Sequence, residues 1–568
     1  MGEEKGATLS PYISEQKGIL MLEQIDLSQK TPKESYKPVY DELMAKLVVL
    51  QQKARAKGIG LVVLFEGWNG GGKGSRIGDL LYNLDARATH VHVLSNFDEQ
   101  EAARFRDMKT GVTGFAPLMQ EFWQALGPRG DMTIYERGWY TAAARRLLYT
   151  DRDDHIRLYQ SAVGEFERQL AADGYAIVKF FVHISQKAQE KRLRRLHKNP
   201  DTSWRVSKQE LEHIKDYDAT YVQYDELLRR TDFDFARWTL VNGEDKRTAN
   251  LTICRTLVTA LERAIGAEED PAAAIAAAKA AENSAGLAQT SDPRERSEEE
   301  TRAVLSAAHD AARTQSALAP AHSRFTMVAH PPRVTDIDYS LKLSREEYIA
   351  ALKKEQKRLG ELELKMYRAR IPLMLLYEGD DAAGKGGNIK RVAQAIDARA
   401  YTVFPSPAPT KPELMHPHLW RYWTRLPRAG HVGLYDRSWY GRVLVERVEG
   451  FASPEQWSRA YDEINEFEHE LEAWGAILLK FWVAGDPDEQ LRRFTERETN
   501  PDKQWKITPE DWRNRDKHPQ YAAAADDMFR LTSTTYAPWR ILESSDKYYA
   551  RVKALRIINQ ALEERLDL

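Results

Sequence analysis

The chain carries one sequence pattern twice, and this internal duplication restricts the possible folds more than any other feature. Residues 61–67 (LVVLFEG) are echoed by residues 373–379 (LMLLYEG), and both copies continue into a Gly-Lys-Gly triplet, 312 residues apart. Further along, residues 135–140 (YERGWY) match residues 435–440 (YDRSWY) at a separation of 300. A period of this length is far greater than that of solenoid repeats, which is about 20–50 residues. The pattern therefore predicts two homologous domains, and the first carries about a dozen extra residues before Tyr135.

Changes of composition between the two copies mark the predicted domain boundaries. Residues 271–282 are rich in alanine, and residues 284–300 are polar with runs of charge. Such composition is typical of a linker with one or two helical stretches. We therefore predict a first domain at residues 1–264, a linker at residues 265–330 and a second domain at residues 331–568.

Short apolar runs separated by helical patterns indicate the fold class. In the second copy, residues 371–377, 432–435 and 477–483 are almost wholly apolar, as expected for strands that are buried on both faces. Strands that alternate with helices predict an α/β fold, in which helices flank a parallel sheet. Ligands of such sheets bind at the carboxyl ends of the strands, and the glycine-rich turn of each copy falls at such an end. Trp439 and Tyr440 are predicted to pack in the core rather than to stack on a base.

The glycine-rich turn of the second copy has the pattern of a phosphate loop. Residues 379–386 (GDDAAGKG) fit G-x-x-x-x-G-K, directly after a predicted strand and before a predicted helix. The glycines allow successive backbone N–H groups to face a phosphate, and the helix N-terminus adds a positive dipole end. Lys385 is expected to bridge the transferred phosphoryl group and the one behind it. The loop residues predicted to bind phosphate are Gly379, Ala382, Ala383, Gly384, Gly386 and Gly387.

The predicted metal site differs from that of the common phosphate loop. The residue after Lys385 is Gly386, so the Ser or Thr hydroxyl that usually holds Mg²⁺ is missing. Asp381 in the loop and Asp436 at the end of the next recognisable strand supply carboxylates, which suit Mg²⁺ together with phosphate oxygens and water. Two structural alternatives remain open: Asp381 as the cap of a turn, and Asp436 as the salt-bridge partner of Arg437.

Taken together, these motifs resemble those of a known family. Residues 378–387 (EGDDAAGKGG) followed by residues 435–440 (YDRSWY) are similar to the motifs of the second family of polyphosphate kinases, and the similarity covers both copies. The resemblance implies a P-loop kinase fold with a helical lid in each domain. It also implies inorganic polyphosphate as the phosphoryl donor and, from the two-domain members, AMP as the acceptor and ADP as the product.

A donor that is a chain of phosphates requires a local cluster of cations. The whole chain has 83 Lys and Arg against 85 Asp and Glu, a formal net charge of −2, which argues against a nucleic-acid partner. The candidate cluster is the predicted lid at residues 490–506, although a basic helical stretch is also typical of a solvated surface. Arginine suits this task because its planar fork grips two oxygens. The predicted catalytic residues are Asp381, Lys385, Asp436, Arg437, Arg493 and Arg497, and the predicted substrate-binding cations are Arg399, Arg421 and Lys506.

The first copy is predicted to be degenerate. Asn69 stands at the position of Asp381, and Glu136 stands at that of Asp436. Asparagine keeps the shape of the side chain but carries no charge, so it holds Mg²⁺ weakly. Lys73 and the glycine turn survive, which is compatible with phosphate binding. We expect a catalytically silent or weak domain that serves as a scaffold, as a polyanion-holding site or as a regulatory site.

Two other functions fit the same motifs. An ATP-dependent kinase of a nucleotide or other small molecule fits, because a phosphate loop by itself does not distinguish ATP from polyphosphate. A non-catalytic polyphosphate-binding regulator also fits, but the set Asp381, Lys385 and Asp436 argues against it, because binding alone needs no metal pair.

The sequence also predicts where the protein works. We find no apolar run of about 18 residues, so we predict no membrane span. The acidic and polar residues 1–10 favour a soluble cytoplasmic protein. Cys254 is the only cysteine, which excludes a disulfide within the chain. A homodimer is expected only by analogy with similar kinases.

Overall fold

The computed structural model contains two five-stranded parallel sheets. The structure describes residues 21–94, 105, 110–147, 153–206, 208–267, 297–501, 504 and 509–567. The strands of the first unit are β1 (Gly60–Gly67), β2 (Thr89–Val93), β3 (Met132–Glu136), β4 (Tyr175–His183) and β5 (Trp238–Asn242). Those of the second unit are β6 (Leu373–Gly379), β7 (Tyr401–Pro405), β8 (Val432–Asp436), β9 (Ile477–Ala484) and β10 (Trp539–Glu543).

The two sheets have the same topology. Their strand orders are β2-β3-β1-β4-β5 and β7-β8-β6-β9-β10, so each strand has its equivalent at the same place in the other sheet. All neighbouring strands are parallel. The predicted α/β class with two tandem units is therefore confirmed.

Helices connect the strands of each unit. The helices of the first unit are α1 (Lys33–Lys57), α2 (Lys73–Leu81), α3 (Gln120–Ala125), α4 (Trp139–Leu147), α5 (Asp153–Ala172), α6 (Gln186–Lys198), α7 (Lys208–Glu212), α8 (Tyr217–Arg230) and α9 (Lys246–Ala267). A further helix, α10 (Glu298–Ala317), precedes the second unit. The helices of the second unit are α11 (Arg345–Arg368), α12 (Lys385–Ala393), α13 (Lys411–Leu414), α14 (Trp420–Trp423), α15 (Val445–Val448), α16 (Pro454–Trp474), α17 (Pro487–Thr499), α18 (Pro509–Asp516), α19 (His518–Thr532) and α20 (Lys547–Arg565).

The central strand of each sheet is the first strand of its unit. All eight residues of β1 and the first six of β6 are buried, because helices cover both faces of the sheet. In register, Tyr377 on β6 lies opposite Asp436 on β8 and Phe481 on β9. The carboxyl ends of β6, β8 and β9 therefore meet at one edge, and the loops that follow them share that edge.

Part of the predicted linker is packed against the second unit. Helix α10 begins with a capping box between Ser297 and Glu300 and packs on α19. Ala308 and Ala312 on this helix are buried. Their small side chains allow the two helices to approach closely. This segment is thus a helix that is docked on the second unit. The alanine-rich residues 271–282 lie outside the described residues.

An ion pair is buried behind each sheet. Lys480 on β9 donates to Glu468 (2.7 Å), to the hydroxyl of Tyr440 (2.8 Å) and to the carbonyl of Thr532 (2.6 Å). Trp439 donates to the other oxygen of Glu468 at 2.9 Å. The predicted core position of Trp439 and Tyr440 is confirmed, as they are 1% and 0% exposed.

The first unit repeats this buried arrangement. Lys179 on β4 donates to Glu167 at 2.8 Å, to the hydroxyl of Tyr140 at 3.1 Å and to the carbonyl of Thr231 at 2.6 Å. Trp139 completes the set through its bond to Glu167 at 2.9 Å. Since both units retain every member, the arrangement belongs to the fold rather than to the chemistry of one unit.

The two units pack through equivalent residues. Helix α5 of the first unit packs on α16 of the second. Trp123 and Trp423, which are 300 residues apart, stack on each other at 6.1 Å between ring centroids. Each ring also meets a phenylalanine of its own unit edge-on, Phe166 at 4.9 Å and Phe467 at 4.7 Å. The units are therefore related by an approximate twofold axis that passes near the two tryptophans.

Residues just before α3 of the first unit contact the second unit. The indole N–H of Trp474 donates to the carbonyl of Gly114 at 2.7 Å. The backbone carbonyl of Trp474 accepts from the amide of Thr113 at 3.2 Å. Thr113 and Gly114 thus lie against the end of α16. In the described part of the chain, no helix has the length and apolar character that a membrane crossing requires.

We predict that Lys480→Met and Lys179→Met each lower the free energy of unfolding by about 3–5 kcal/mol, because each leaves a buried carboxylate without its counter-charge. Denaturant unfolding followed by tryptophan fluorescence measures the loss. The double variant Lys480→Met/Glu468→Gln is the control and should recover much of it. A loss below about 1 kcal/mol in either single variant would contradict the structural role of the pair.

Candidate functional site

The loop between β6 and α12 has the curled backbone that its sequence predicts. Gly379 has a φ of +129° and Gly384 a φ of +110°, both in the left-handed region that favours glycine. A Cβ on Gly379 would lie 2.2 Å from the carbonyl oxygen of Val483, so β9 leaves no room for a side chain. Gly384 is the N-cap of α12 and has no side chain to cap it, which leaves the positive end of the helix facing the loop.

The loop lysine lies against the backbone of its own loop. The Nζ of Lys385 donates to the carbonyl oxygens of Gly379 at 2.7 Å and Asp380 at 3.0 Å. An ammonium group has three donor hydrogens, so one remains for a phosphate oxygen. The structure therefore places Lys385 where the phosphate-loop pattern requires a cation.

A buried carboxylate fixes the neighbouring strand end to the loop. Glu378 is 5% exposed and accepts from the amide and the hydroxyl of Ser438, both at 2.7 Å. Burial raises the pKa of Glu378 above its usual value. In the first unit Glu66 accepts in the same way from the amide of Gly138 at 3.0 Å. Sequence reasoning missed this role, although an acidic residue that ends an apolar run in both copies was a usable signal.

Asp381 lies between two polar partners at the mouth of the loop. Its Oδ1 accepts from Arg437 at 3.1 Å and its Oδ2 from Asn514 at 2.8 Å. Burial opposes ionisation, but the charges of Lys385 and Arg437 and these two hydrogen bonds outweigh it, and they hold the pKa of Asp381 below its usual value. Asp381 is thus a stable anion, as a ligand of a divalent cation must be.

The two predicted metal ligands come to the same edge of the sheet. Asp436 ends β8, the neighbour of β6, and is half-buried. Among the described residues, no three His, Cys, Asp or Glu side chains form a preformed metal cluster. Mg²⁺ does not need one, because it is commonly held by one or two carboxylates plus phosphate oxygens and water. The oxygen donors of Asp381 and Asp436 therefore fit Mg²⁺ in the presence of substrate.

Arg437 and its equivalent in the first unit have an unusual backbone conformation. Its φ is +61°, and the equivalent Arg137 has a φ of +57°. A side chain in this region costs about 1 kcal/mol or more, and such residues cluster at functional sites. The twist turns the guanidinium of Arg437 from the end of β8 toward Asp381.

Arg493, a predicted catalytic residue, binds the backbone of the loop. Its guanidinium donates to the carbonyls of Ala382 (2.9 Å), Ala383 (3.2 Å), Ser544 (2.8 Å) and Ser545 (3.1 Å). It therefore ties the phosphate loop to the end of β10, and we describe it as a positioning residue. Arg192 makes the equivalent bonds in the first unit, to the carbonyls of Gly70, Gly71, Gly243 and Glu244.

The remaining cations that the sequence predicts for the site do not share one location. Arg421 is 7% exposed, lines the cleft beside the loop and donates to the carbonyl of Pro407 at 3.0 Å. Arg399 precedes β7, at the opposite edge of the sheet, and binds Asp397 at 2.7 Å, so the structure does not bring it to the loop. Arg497 is half-buried on α17, and Lys506 lies outside the described residues.

A cleft opens beside Asp381 and contains groups that the sequence did not reveal. Its lining combines charged and polar groups with prolines and aliphatic side chains. Helices α18 and α19 supply polar residues from more than 130 positions along the chain, which no local motif links to the loop. The lining includes Glu378, Asp380, Asp381, Pro407, Ala408, Pro409, Arg421, Arg437, Leu444, Val445, Glu446, Phe451, Gln490, Asn514, Arg515, His518 and Tyr521.

The loop of the first unit keeps the shape but not the charge pattern. Lys73 donates to the carbonyls of Gly67 at 2.7 Å and Trp68 at 3.0 Å, as its equivalent does. Burial lowers the pKa of Lys73 to about 8. Asn69 accepts from Arg137 at 2.7 Å and donates to Glu210 at 2.9 Å, so a neutral amide stands at the mouth of the loop.

Aromatic side chains fill the space next to this first loop. Trp68 occupies the position of Asp380, donates to His183 at 2.9 Å and stacks on Tyr217 at 4.1 Å. Tyr224 meets the indole edge-on at 5.1 Å. Where the second unit has a polar cleft, the first unit therefore has packed rings.

Comparison with known proteins gives this geometry a family. The family model described as "Polyphosphate kinase 2 (PPK2)" matches residues 30–268 and 342–567, which together are most of the chain. The chain belongs to the polyphosphate kinase 2 family. The resemblance found from the motifs is thereby confirmed, and both units are matched.

The full length of the chain is similar to two-domain members of the family. A polyphosphate:AMP phosphotransferase of Pseudomonas aeruginosa is 36% identical over 554 residues, which cover 96% of this chain and 99% of that protein. One of Acinetobacter johnsonii is 31% identical over 542 residues and covers 93% and 96%. A crystal structure from Pseudomonas aeruginosa described as a polyphosphate kinase 2 aligns over 96% of this chain and 99% of its own, with a TM-score of 0.73 and 33% identity.

We predict unequal effects for the two loop lysines. Lys385→Ala should lower the rate of phosphoryl transfer from polyphosphate by roughly 100-fold or more, because it removes a cation at the transferred group. Lys73→Ala should leave the rate close to that of the wild type. Steady-state turnover of the purified variants measures both effects, and an equal loss would contradict a silent first unit.

Proposed function

We propose that the chain is a Mg²⁺-dependent phosphotransferase that moves the terminal phosphoryl group of inorganic polyphosphate to AMP and releases ADP. Similarity over 96% of the chain to a two-domain polyphosphate:AMP phosphotransferase carries this proposal. A GDP-polyphosphate phosphotransferase from Mycolicibacterium smegmatis is similar to only 39% of the chain. The tandem arrangement therefore favours AMP as acceptor over a nucleoside diphosphate.

The donor is assigned to the phosphate loop. The backbone amides at the start of α12 and the free donor of Lys385 face the same region of the loop and suit the last phosphates of the chain. Arg493 keeps the loop carbonyls turned away from the anion, because it holds those of Ala382 and Ala383. The loop thus presents hydrogen-bond donors, rather than acceptors, to polyphosphate.

The acceptor is assigned to the cleft beside Asp381. The Nη2 of Arg421 is buried and finds no hydrogen-bond partner among the described residues, so it is available to an acceptor phosphate. The apolar side of the cleft, which includes Leu444 and Phe451, offers a surface for a nucleobase. The cleft and the loop share Gly379 and Asp381, so the two substrates meet there.

The reaction is an in-line displacement. A phosphate oxygen of AMP attacks the terminal phosphorus of polyphosphate, the new P–O bond forms as the bridging P–O bond breaks, and the shortened chain leaves with the bond electrons. AMP phosphate is largely dianionic at neutral pH because its second pKa lies near 6, so no general base is required. Arg421 and Lys385 position and neutralise the two phosphates, and positioning with charge neutralisation accounts for most of catalysis in such transfers.

The carboxylates of Asp381 and Asp436 would hold Mg²⁺. When bound, the ion would neutralise charge on the phosphate oxygens. Asn514 and Arg437 keep Asp381 in place through their hydrogen bonds. Removal of Asn514 or Arg437 should therefore weaken the binding of Mg²⁺ without removing a donor to phosphate from the loop.

We predict that the protein, supplied with AMP and Mg²⁺, forms ADP from polyphosphate and that ADP formation stops when EDTA removes the metal. ATP as the donor in a parallel reaction is the control. Chromatographic separation of the nucleotides measures the products. ADP from ATP alone would replace this proposal with an ATP-dependent kinase, and no product from either donor would favour a binding protein.

We predict that Asp381→Asn lowers kcat by roughly 100-fold and raises the Mg²⁺ concentration needed for half-maximal rate, because the neutral amide holds the metal weakly. Asp397→Asn, at the opposite edge of the sheet, is the matched control and should not change either quantity. Rates of Asp381→Asn near those of the wild type would remove Asp381 from the metal site.

A further inference from the structure

Helix α6 of the first unit carries an unusual row of cations. Positions i, i+4, i+8 and i+11 of a helix lie near one face, and position i+7 lies beside them. At a rise of 1.5 Å per residue, this row extends for about 17 Å. We call the α6 cationic stripe the five exposed residues Lys187, Lys191, Arg194, Arg195 and Lys198.

The equivalent helix of the second unit does not have this stripe. The residues that lie 301 positions later on α17 include one cation and two acids, against five cations on α6. That one cation, Arg492, is itself held by Glu489 at 2.6 and 2.7 Å. The unit that keeps the catalytic groups is thus neutral to acidic on this face, and the degenerate unit is strongly basic. The equivalent residues on α17 are Asp488, Arg492, Thr495, Glu496 and Thr499.

The cations of the stripe are almost without acidic partners. Within the described part of the chain, only Arg194 is paired, with Glu190 at 2.9 Å. Like charges four positions apart destabilise a helix by about 0.2–0.5 kcal/mol per pair, and Lys187–Lys191 and Lys191–Arg195 are two such pairs. The helix dipole offsets part of this cost in the last turn only. Binding of an anion along the row would therefore reduce the repulsion between these cations.

The stripe is held rigidly next to the phosphate loop of its own unit. Arg192, on the inner side of the same helix, is tied to the carbonyls of Gly70 and Gly243 at 3.0 and 2.9 Å. The outer face forms an open depression lined by Lys191, Arg194, Arg195 and Lys198. Its cations are thus presented to solvent on a fixed scaffold.

We propose that the α6 cationic stripe is a docking surface for inorganic polyphosphate, separate from the phosphate loop that performs transfer. The inference rests on the proposed function, which makes polyphosphate the polyanion that this protein meets. A linear chain with about one charge per phosphoryl unit matches a row of cations along one helix. The degenerate unit then holds the donor chain, while the second unit transfers its end.

The test compares two variants with equal loss of charge. In the stripe variant, Lys187, Lys191, Arg195 and Lys198 are changed to Gln, and Arg194 is kept so that Glu190 remains paired. The control variant changes four exposed lysines on α11 to Gln, none of which has an ion-pair partner among the described residues; these are Lys353, Lys354, Lys357 and Lys365. Thermal unfolding checks that both variants fold.

Binding is measured with end-labelled long-chain polyphosphate by fluorescence anisotropy, without AMP and at several salt concentrations. We expect about tenfold weaker binding for the stripe variant than for the control at physiological salt. The slope of log affinity against log salt should fall by up to about 3, taking roughly 0.7 for each of four lost phosphate contacts. The ratio of KM for long-chain polyphosphate to KM for tripolyphosphate should rise in the stripe variant only.

Three results would overturn the docking surface. One is equal affinity in the stripe and control variants, and another is an unchanged KM ratio. The third is that a single-stranded oligonucleotide of similar length binds to the stripe more tightly than polyphosphate does. This result would assign the surface to nucleic acid. If the wild type binds polyphosphate through the stripe but forms no ADP from it, the proposed function fails while the docking surface stands.

Discussion

The close contact between the ends of β6 and β9 fixes the geometry of the glycine-rich loop that carries Asp381 and Lys385. Gly379 lies so near the carbonyl of Val483 that no side chain fits between them, and Gly67 has the same relation to Val182 in the first unit. Because the chain leaves the sheet at this contact, the directions of Asp381 and Lys385 follow from it. Arg493 then holds the far side of the loop through four carbonyl oxygens, so the curl is supported from both ends.

Comparison of the two units separates the requirements of the fold from those of the chemistry. The tight glycine, the loop lysine, the arginine brace and the buried Lys–Glu pair occur in both units with nearly the same distances. The second unit has Asp381 and a polar cleft at the loop mouth, where the first unit has Asn69, bound to Glu210, and packed rings. A shared feature thus supports the scaffold, and a feature that differs marks where the units work differently.

The sequence predicted the duplicated parallel sheets and the phosphate loop because these depend on local patterns. Apolar runs define strands, and the G-x-x-x-x-G-K spacing defines the turn after β6. It did not predict the cleft, since Asn514 and His518 reach Asp381 and its neighbours from distant helices. It also did not predict that Arg493 binds the carbonyls of Ala382 and Ala383 and the carboxylate of Glu489. Sequence spacing shows that a cation is near a loop but not which atoms it meets.

The stacking of Trp123 on Trp423 has a consequence for the way in which the two units associate. Residues that are equivalent in two copies and touch each other form an isologous interface, of the kind that joins two identical subunits. The tandem chain thus resembles a dimer whose partners are covalently fused, so their association no longer depends on protein concentration. In a dimer of identical subunits each substitution would appear twice, whereas in this chain the two halves differ, with Asn69 at one loop and Asp381 at the other.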